Sequence, residues 1–246
     1  MSGTEQVSVP LGADAPILEV MATMRAMRRL KPDPVPDELL DELVEAATWA
    51  PSGGNLQAYS FVVVTDREQM RRLAEPWRVI CKWYLSTMAL AAPDHMSEER
   101  YERLKDALRF QAEHFHETPA VIIPCYDIGR WTRALRSRWR DFVAAAQTLG
   151  ARRSATMASG LAAFSSRSEA ASVYPGVQNL LLAARAHGLA ATLTTWHLGL
   201  ESEFKEILGI PRSVKTFAII PIGWPRGNMG PVKRRPPAEV IHRDRW

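Results

Sequence analysis

The chain has 246 residues, of which 46% are hydrophobic and 24% charged, and its formal net charge is +4. This length and composition suit one large or two small globular domains, and no apolar run approaches the ~20 residues of a membrane span. The basic residues form no long stripe with interleaved aromatic residues, which argues against a nucleic-acid-binding protein. Residues 1–16 lack a basic start and an apolar core, so they predict a flexible lead rather than a signal peptide, and we expect a cytoplasmic protein.

Two helices separated by a proline-rich linker are the first elements predicted. The first helix covers residues 17–29, and the spacing of Arg25 and Arg28 places them on one face of it. The linker, residues 30–36, contains three prolines and cannot be helical. The second helix begins at Asp37, where acidic residues suit the helix dipole, and it carries an apolar stripe.

A loop with the sequence APSGGN, Ala50–Asn55, lies between the second helix and a predicted strand, Ser60–Thr65. Ending a helix takes one glycine or proline, whereas this loop combines a proline, two glycines, a serine hydroxyl and an asparagine amide. Large side chains do not shield its N–H groups, so the loop can approach a planar heterocycle and hydrogen-bond to its edge. A simple turn is the alternative interpretation of the loop taken alone.

The middle of the chain is less regular. Residues 66–118 are predicted to be helical and charged, Pro119 ends them, and Ala120–Tyr126 is predicted to be a buried strand. Residues 129–170 follow no clear pattern, so we expect the region 80–170 to include a lid or insertion over a site. Three aromatic residues there could stack on a substrate, although packing explains such residues more often: Trp131, Trp139 and Phe164.

Regular patterns return after this region. A helix is predicted from Pro175, with Gly188 as its C-terminal cap. A strand, a short helix and a second strand follow: Ala190–Thr195, Glu201–Leu208 and Thr216–Ile222. The tail, residues 223–246, is rich in proline and arginine and is expected to be extended. The mixture of helices and strands, without repeats, predicts a single α+β or α/β domain.

Binding of an anion is better supported than catalysis by a side chain. Motifs of serine hydrolases and dinucleotide-binding folds are absent, and Cys81 and Cys125 lack the spacing of a metal site, so no metal is expected. The chemistry that the residues favour is capture of a phosphate by arginine, whose planar fork of donors suits it. The candidates are Arg25 and Arg28 in the first helix and the tail segment 233–235.

The order of these features resembles the FMN-dependent nitroreductase family, which opens approximately with RRS-x-RRF-x-PDPVP and then APSGxNxQPW. The corresponding stretches here are MRAMRRLKPDPVP, residues 24–36, and APSGGNLQAYSF, residues 50–61. Residues 176–196, GVQNLLLAARAHGLAATLTTW, resemble the dimer helix of the family and its following strand, and LGIP, IPIGWP and VKRRP match the closing segments.

The resemblance implies an α+β fold, a three-layer α/β/α sandwich whose central sheet is mixed and mainly antiparallel. Helices cover both faces of the sheet, and the C-terminal tail is extended. Residues 17–246 then form a single FMN-binding domain, and two copies form a homodimer with FMN at the interface.

The resemblance also implies which residues bind FMN. Arg25 and Arg234 match cations that hold the phosphate, and Arg28 matches a cation beside the flavin pyrimidine. Ala26 stands where serine is common, so only its backbone can contribute, and Met24 replaces an arginine. Two further groups match residues that border the ring. The loop, contributed by the partner subunit, supplies Pro51, Ser52, Gly53 and Asn55. The strand end near flavin N5 supplies Leu193, Thr194 and Thr195.

The implied activity is reduction of small nitroaromatic or quinone acceptors by NADPH or NADH, in ping-pong fashion, with hydride transfer through flavin N5. FMN carries this chemistry, so no catalytic side chain is assigned. Two alternatives stay open. One is a specialised flavin reaction such as reductive dehalogenation, which the segment TLTTW favours. The other is a flavin-binding or storage protein without turnover, which Met24 and Ala26 favour.

Overall fold

The computed structural model describes residue 12, residues 14–127, residue 129 and residues 139–246 of the chain. Residues 1–11 and 13 of the predicted lead therefore lie outside the described residues. The helices with described bounds are α1 Ile17–Thr23, α2 Asp37–Thr48, α3 Arg67–Thr87, α4 Glu98–His114, α5 Trp139–Leu149, α6 Ala151–Ala186 and α7 Glu201–Leu208. The strands are β1 Tyr59–Val64, β2 Ala120–Asp127, β3 Ala190–Ala191, β4 Val214–Thr216 and β5 Ile220–Gly223.

The strands form one sheet in the order β1-β2-β5-β3, with β4 also paired to β2. All pairs between these strands are antiparallel, for example Tyr59 opposite Tyr126 in β1 and β2. A parallel contact comes from outside the named strands, where Ala26 bridges Ala191. The sheet is therefore mixed and mainly antiparallel, as expected.

Helices cover both faces of the sheet because successive residues of β2 point to opposite sides. Ile122 belongs to one buried cluster with Leu40 and Leu43 of α2 and with residues of α6. Its neighbour Ile123 belongs to the other cluster, with Trp77 of α3 and with residues of α4 and α7. The predicted α+β fold with three layers is confirmed.

Helices α2 and α6 approach closely near the end of α2. A Cβ atom at Gly176 would lie 2.7 Å from the carbonyl oxygen of Ala47, a distance that side chains do not tolerate. The side-chain amide of Asn179 also donates a 3.2 Å hydrogen bond to the carbonyl of Ala46. These contacts fix the end of α2, and with it the start of the APSGGN loop.

The predicted first helix over residues 17–29 was wrong in its second half. Helix α1 ends at Thr23, and the next residue, Met24, has an extended conformation with ψ of 120°. Pairing with β3, through Ala26 and Ala191, replaces helical hydrogen bonds in this segment. Tertiary pairing thus overrides a helical pattern that is local to the sequence.

Three other predicted boundaries were also wrong. Helix α6 starts at Ala151 and continues through Pro175, which costs a hydrogen bond but does not end the helix. Of the strand predicted over residues 190–195, only Ala190–Ala191, which is β3, forms a regular strand. The strand predicted over 216–222 is divided into β4 and β5, opposite Pro124 of β2, which has no N–H for the ladder.

The region 80–170, predicted to include a lid, contains the end of α3, α4, α5 and the first half of α6. Trp131 lies outside the described residues, and so does the side chain of Trp139. Phe164 in α6 is 64% exposed. None of the helices described here is long and apolar enough to cross a membrane.

Candidate functional site

The segment that follows α1 lies beside the short strand β3. Ala26 forms its parallel bridge with Ala191, and the amide of Met27 donates a 3.3 Å hydrogen bond to the Ala191 carbonyl. The hydroxyl of Thr192 donates to the carbonyl of Met27 at 2.8 Å. These three contacts hold the backbone of residues 25–28, here called the arginine segment, at the edge of the sheet.

The C-terminal tail crosses the same region. The amide of Arg226 donates a 3.0 Å hydrogen bond to the carbonyl of Arg29, and the amide of Val232 donates a 2.8 Å hydrogen bond to the carbonyl of Ala22. Arg234 stands two residues beyond Val232 and is exposed. The tail therefore brings this cation to the C-terminal end of α1, where the arginine segment begins.

Arg28 is the half-buried cation of the arginine segment. Burial lowers the pKa of its guanidinium, whereas electrostatic interaction with Cys81 and Tyr84 of α3 raises it. Within the part of the chain that the structure describes, Arg28 has no hydrogen-bond acceptor and no carboxylate at ion-pair distance. Because arginine keeps its charge when partly desolvated, this side chain is suited to an anion or an electron-rich edge of a ligand.

The residues after β3 continue along the same edge of the sheet. Thr194 exchanges two backbone hydrogen bonds with Ile219, of 3.1 and 2.9 Å. Its hydroxyl oxygen lies 3.5 Å from the amide of Trp196, which donates to it. Thr194 is buried, while Leu193 and Thr195 are half-buried. This strand end is thus rigidly held and connected through Ala191 to the arginine segment.

The APSGGN loop forms a single 3₁₀ turn over Gly53–Asn55. Gly54 and Asn55 have positive φ angles of 58° and 52°, a conformation that glycine adopts freely and asparagine tolerates. Pro51 is exposed, as are all three residues of the turn, and Ser52 is half-buried. The tip of the loop is therefore open to contact from outside this chain.

Hydrogen bonds fix the shape of the loop and attach it to α6. The amide of Gly53 donates a 3.0 Å hydrogen bond to the hydroxyl oxygen of Ser172. The hydroxyl oxygen of Ser52 accepts from the amide of Gln57 at 3.2 Å. The side-chain oxygen of Asn55 accepts from the side chain of Gln57 at 3.0 Å.

The structure places the predicted cofactor residues in two groups. The first, on the arginine segment, the strand end and the tail, comprises Arg25, Ala26, Arg28, Leu193, Thr194, Thr195 and Arg234. The second is on the loop and comprises Pro51, Ser52, Gly53 and Asn55. Between the residues described, no hydrogen bond or ion pair joins the two groups within one chain. Met24 packs against the core, so it supplies no polar contact to the first group.

Sequence reasoning missed an aromatic stack that involves Trp196, close after the strand end. The rings of Tyr84 and Trp196 have centroids 3.8 Å apart and an interplanar angle of 26°. Trp77, also in α3, stacks on Trp196 with ring centroids 6.2 Å apart. Trp196 directly follows Thr195, which is a signal that could have been used. Tyr84 lies in a different helix and gave no signal of its own.

Arg185 in α6 is a second cation that sequence reasoning missed. It is only 3% exposed, and its Nε donates a 2.9 Å hydrogen bond to the hydroxyl of Thr23. Burial lowers the pKa of its guanidinium, and electrostatic interaction with Glu19 raises it. This contact ties the end of α1, and thus the start of the arginine segment, to the long helix.

Comparison with known proteins supports a family assignment. A profile of the Nitroreductase family matches residues 21–224, from α1 to the residue after β5. The chain is also similar to an NADH dehydrogenase of Thermus thermophilus, with 30% identity over 238 residues. That match covers 93% of this chain and 98% of the relative.

Two solved structures share the fold at lower identity. A nitroreductase with bound FMN from Desulfitobacterium hafniense is 20% identical, with a TM-score of 0.58, over 92% of this chain and 97% of that one. An iodotyrosine deiodinase bound to FMN and 3-iodo-L-tyrosine is 18% identical, with a TM-score of 0.63, over 94% and 100%. With the profile match over most of its length and a full-length relative at 30% identity, this chain belongs to the nitroreductase family.

Proposed function

We propose that the protein is an FMN-dependent oxidoreductase in which NADPH or NADH reduces a nitroaromatic or quinone acceptor. The observation that carries the proposal is Arg28, a half-buried cation without an acceptor among the described residues, held beside the strand end Leu193–Thr195. The relative named as an NADH dehydrogenase and the nitroreductase with bound FMN support the same class of activity.

The first group of residues fits the polar parts of FMN. Arg25 and Arg234 are exposed at the end of α1, where their guanidinium groups would hold the phosphate through paired hydrogen bonds. Arg28 would lie at the pyrimidine edge, where its charge stabilises negative charge on the ring. Ala26 has no polar side chain and would contribute its backbone only.

The strand end would form the surface beneath the ring near flavin N5. Thr194 uses its backbone groups on Ile219, and its hydroxyl oxygen accepts from Trp196, so the hydroxyl proton is the hydrogen-bond donor that it would still offer to a ligand. Leu193 and Thr195 are half-buried and would contact the ring directly. A rigid surface of this kind restricts water and sets the distance to the reacting atom.

A homodimer would complete the site, with the loop residues Pro51, Ser52, Gly53 and Asn55 bordering the flavin of the partner. Two observations support it. The loop is bonded to α6 at Ser172, apart from the arginine segment. Beside the loop, Trp49 is 73% and Leu56 is 49% exposed, which suits an interface. Residues 17–246 would act as one FMN-binding unit in each copy.

FMN, when bound, would supply the redox chemistry, the transfer of a hydride equivalent from NAD(P)H to the acceptor by way of flavin N5. The protein binds and orients the cofactor and places positive charge at its pyrimidine. No described side chain is assigned as an acid or base, since water can provide the proton.

The experiment that tests the proposal is the visible absorption spectrum of the purified protein, recorded without oxygen. NADPH or NADH is added first and a nitroaromatic second. Flavin bands that bleach with the nicotinamide and recover with the acceptor support the proposal. Bands that stay oxidised would favour a flavin-binding protein without turnover, and a protein that binds no FMN would overturn the cofactor assignment.

A further inference from the structure

The aromatic ring of Phe110 in α4 contacts two arginines. The guanidinium carbon of Arg29 lies 5.3 Å from the centre of the ring, and that of Arg226 lies 5.5 Å from it. The imidazole of His114, one turn later in α4, also stacks on Phe110 with ring centroids 4.2 Å apart. Distances below about 6 Å are those of cation–π contacts, so α4 is joined both to the residue after the arginine segment and to the tail.

Arg226 holds the backbone that follows the arginine segment. Its amide donates a 3.0 Å hydrogen bond to the carbonyl of Arg29, and its Nε donates a 2.8 Å hydrogen bond to the carbonyl of Leu30. One of its terminal nitrogens lies 3.8 Å from a carboxylate oxygen of Glu117. The guanidinium of Arg226 is therefore fixed by a backbone carbonyl, a carboxylate and an aromatic ring.

Arg28 depends on its neighbours in the chain for its own position. Neither its amide nor its carbonyl makes a hydrogen bond within the part of the chain that the structure describes. The two residues before it are anchored to β3 and to Thr192, and the two residues after it are anchored by Arg226. A displacement of the second anchor would thus move the backbone of Arg28, and its guanidinium with it.

We infer that Phe110 is a positioning residue of the proposed flavin site: its ring supports the guanidinium of Arg226, which in turn holds the backbone next to Arg28. This inference rests on the proposed function, because it takes the pyrimidine edge of FMN as the partner of Arg28. It adds to the site a residue from α4, an element that the sequence analysis did not connect with the cofactor.

Positioning matters most when negative charge develops on the flavin ring, because a guanidinium that is held in place stabilises a developing charge better than a mobile one. Loss of the aromatic face of Phe110 should therefore weaken the binding of reduced FMN more than that of oxidised FMN. We expect a ratio of roughly two- to fivefold, the value of one exposed cation–π contact. A general loss of stability would weaken both forms alike and leave the midpoint potential of the bound flavin unchanged.

The test compares the FMN-loaded wild type with Phe110→Leu, which keeps an apolar side chain but has no aromatic face. Fluorescence titration gives the affinity for oxidised FMN, and the midpoint potential at saturating FMN gives the relative affinity for its reduced form. Phe110→Leu should move the potential to a more negative value by the roughly two- to fivefold preference above. Phe110→Tyr, which keeps an aromatic face, should have the wild-type potential. In an Arg28→Gln background Phe110→Leu should move the potential no further.

Tyr101→Leu is the matched control, because it removes another ring of α4, whose cation–π partner Lys105, at 5.1 Å, lies in the same helix. It should leave the potential unchanged. An unchanged potential in Phe110→Leu, a shift of the same size in Phe110→Tyr or Tyr101→Leu, or equal shifts in both Arg28 backgrounds would overturn the inference while leaving the proposed function intact. A wild-type protein whose flavin NAD(P)H cannot reduce would instead overturn the proposed function itself.

Discussion

The backbone amide of Gly53 donates a 3.0 Å hydrogen bond to the hydroxyl oxygen of Ser172, which joins the APSGGN loop to helix α6. The same hydroxyl donates to the carbonyl of Ser168 at 2.9 Å, so it is fixed from both sides. If the loop borders the flavin of a partner subunit, this contact with α6 helps to set where the loop lies against that flavin.

Substitution of this hydroxyl is the first prediction. Ser172→Ala removes the acceptor of the Gly53 amide, and the loop should lose its fixed position. We expect the dissociation constant for FMN to rise about two- to tenfold, the range of one neutral hydrogen bond. Fluorescence titration with FMN measures this. Ser168→Ala is the matched control, since its backbone carbonyl remains; equal affinities in the two variants would contradict the role given to Ser172.

The tail provides a second prediction, on binding of the phosphate. Arg234→Gln should weaken FMN binding roughly tenfold, because a hydrogen-bonded charge at the phosphate is lost. The weakening should diminish at high salt, which screens exposed charges. Arg235→Gln removes the same charge one residue later and should have a clearly smaller effect. If Arg235→Gln has the larger effect, the assignment of the phosphate to Arg234 is wrong.

Elements with a strong periodic pattern could be predicted from the sequence. The stripe of Leu40 and Leu43 predicted α2, and the run of apolar residues at 120–126 predicted β2, because burial of these side chains drives both elements. Helix α6 before Pro175 escaped prediction because its many alanines and serines carry no apolar period. The end of α1 escaped because Ala26 pairs with Ala191, a partner far away in the chain.

In the candidate site, too, local patterns could be predicted from the sequence, and contacts between distant residues could not. Its arginines and its loop were predictable through the order of motifs, which is local information. Ser172 and Arg185 of α6 and Tyr84 of α3 are remote in sequence from the residues they contact, and these contacts depend on how the two helices pack. No spacing in the sequence could have connected Ser172 with Gly53.

Packing of α2 on α6 provides a third prediction, on stability. Gly176→Ala should destabilise the protein by about 1–3 kcal/mol, because its Cβ would lie 2.7 Å from the carbonyl oxygen of Ala47 and backbone must move. Gly160→Ala in the same helix has no atom within 4 Å of the new Cβ. That control should stabilise by about 0.5–1 kcal/mol through helix propensity. Urea unfolding at one protein concentration measures both, and destabilisation of similar size in both would refute the packing argument.

Acid sensitivity provides the last prediction, and it rests on His197. This histidine is fully buried after the strand end, and its Nε2 lies 3.0 Å from the hydroxyl oxygen of Thr216. That hydroxyl donates to Glu201 at 2.8 Å, so Nε2 must carry the proton and donate. Nδ1 has no partner among the described residues, and burial lowers the pKa of His197 to about 4, while Glu201 raises it.

A neutral histidine is thus favoured in the folded state, while the unfolded chain takes up a proton near the ordinary pKa of 6.5. The stabilisation is complete above pH 6.5 and is lost as the pH falls from 6.5 to 4, by about 3 kcal/mol in total. The free energy of unfolding of His197→Gln, measured with urea, should depend less on pH between 6.5 and 4 than that of the wild type, whatever its value at pH 7. The exposed His95, changed to glutamine, should keep the wild-type slope. Burial raises the pKa of Glu201, but its hydrogen bonds to Thr216 lower it further, so Glu201 affects stability only below about pH 4.5. Parallel curves for wild type and His197→Gln between pH 6.5 and 4 would therefore show that a group other than His197 causes the loss of stability.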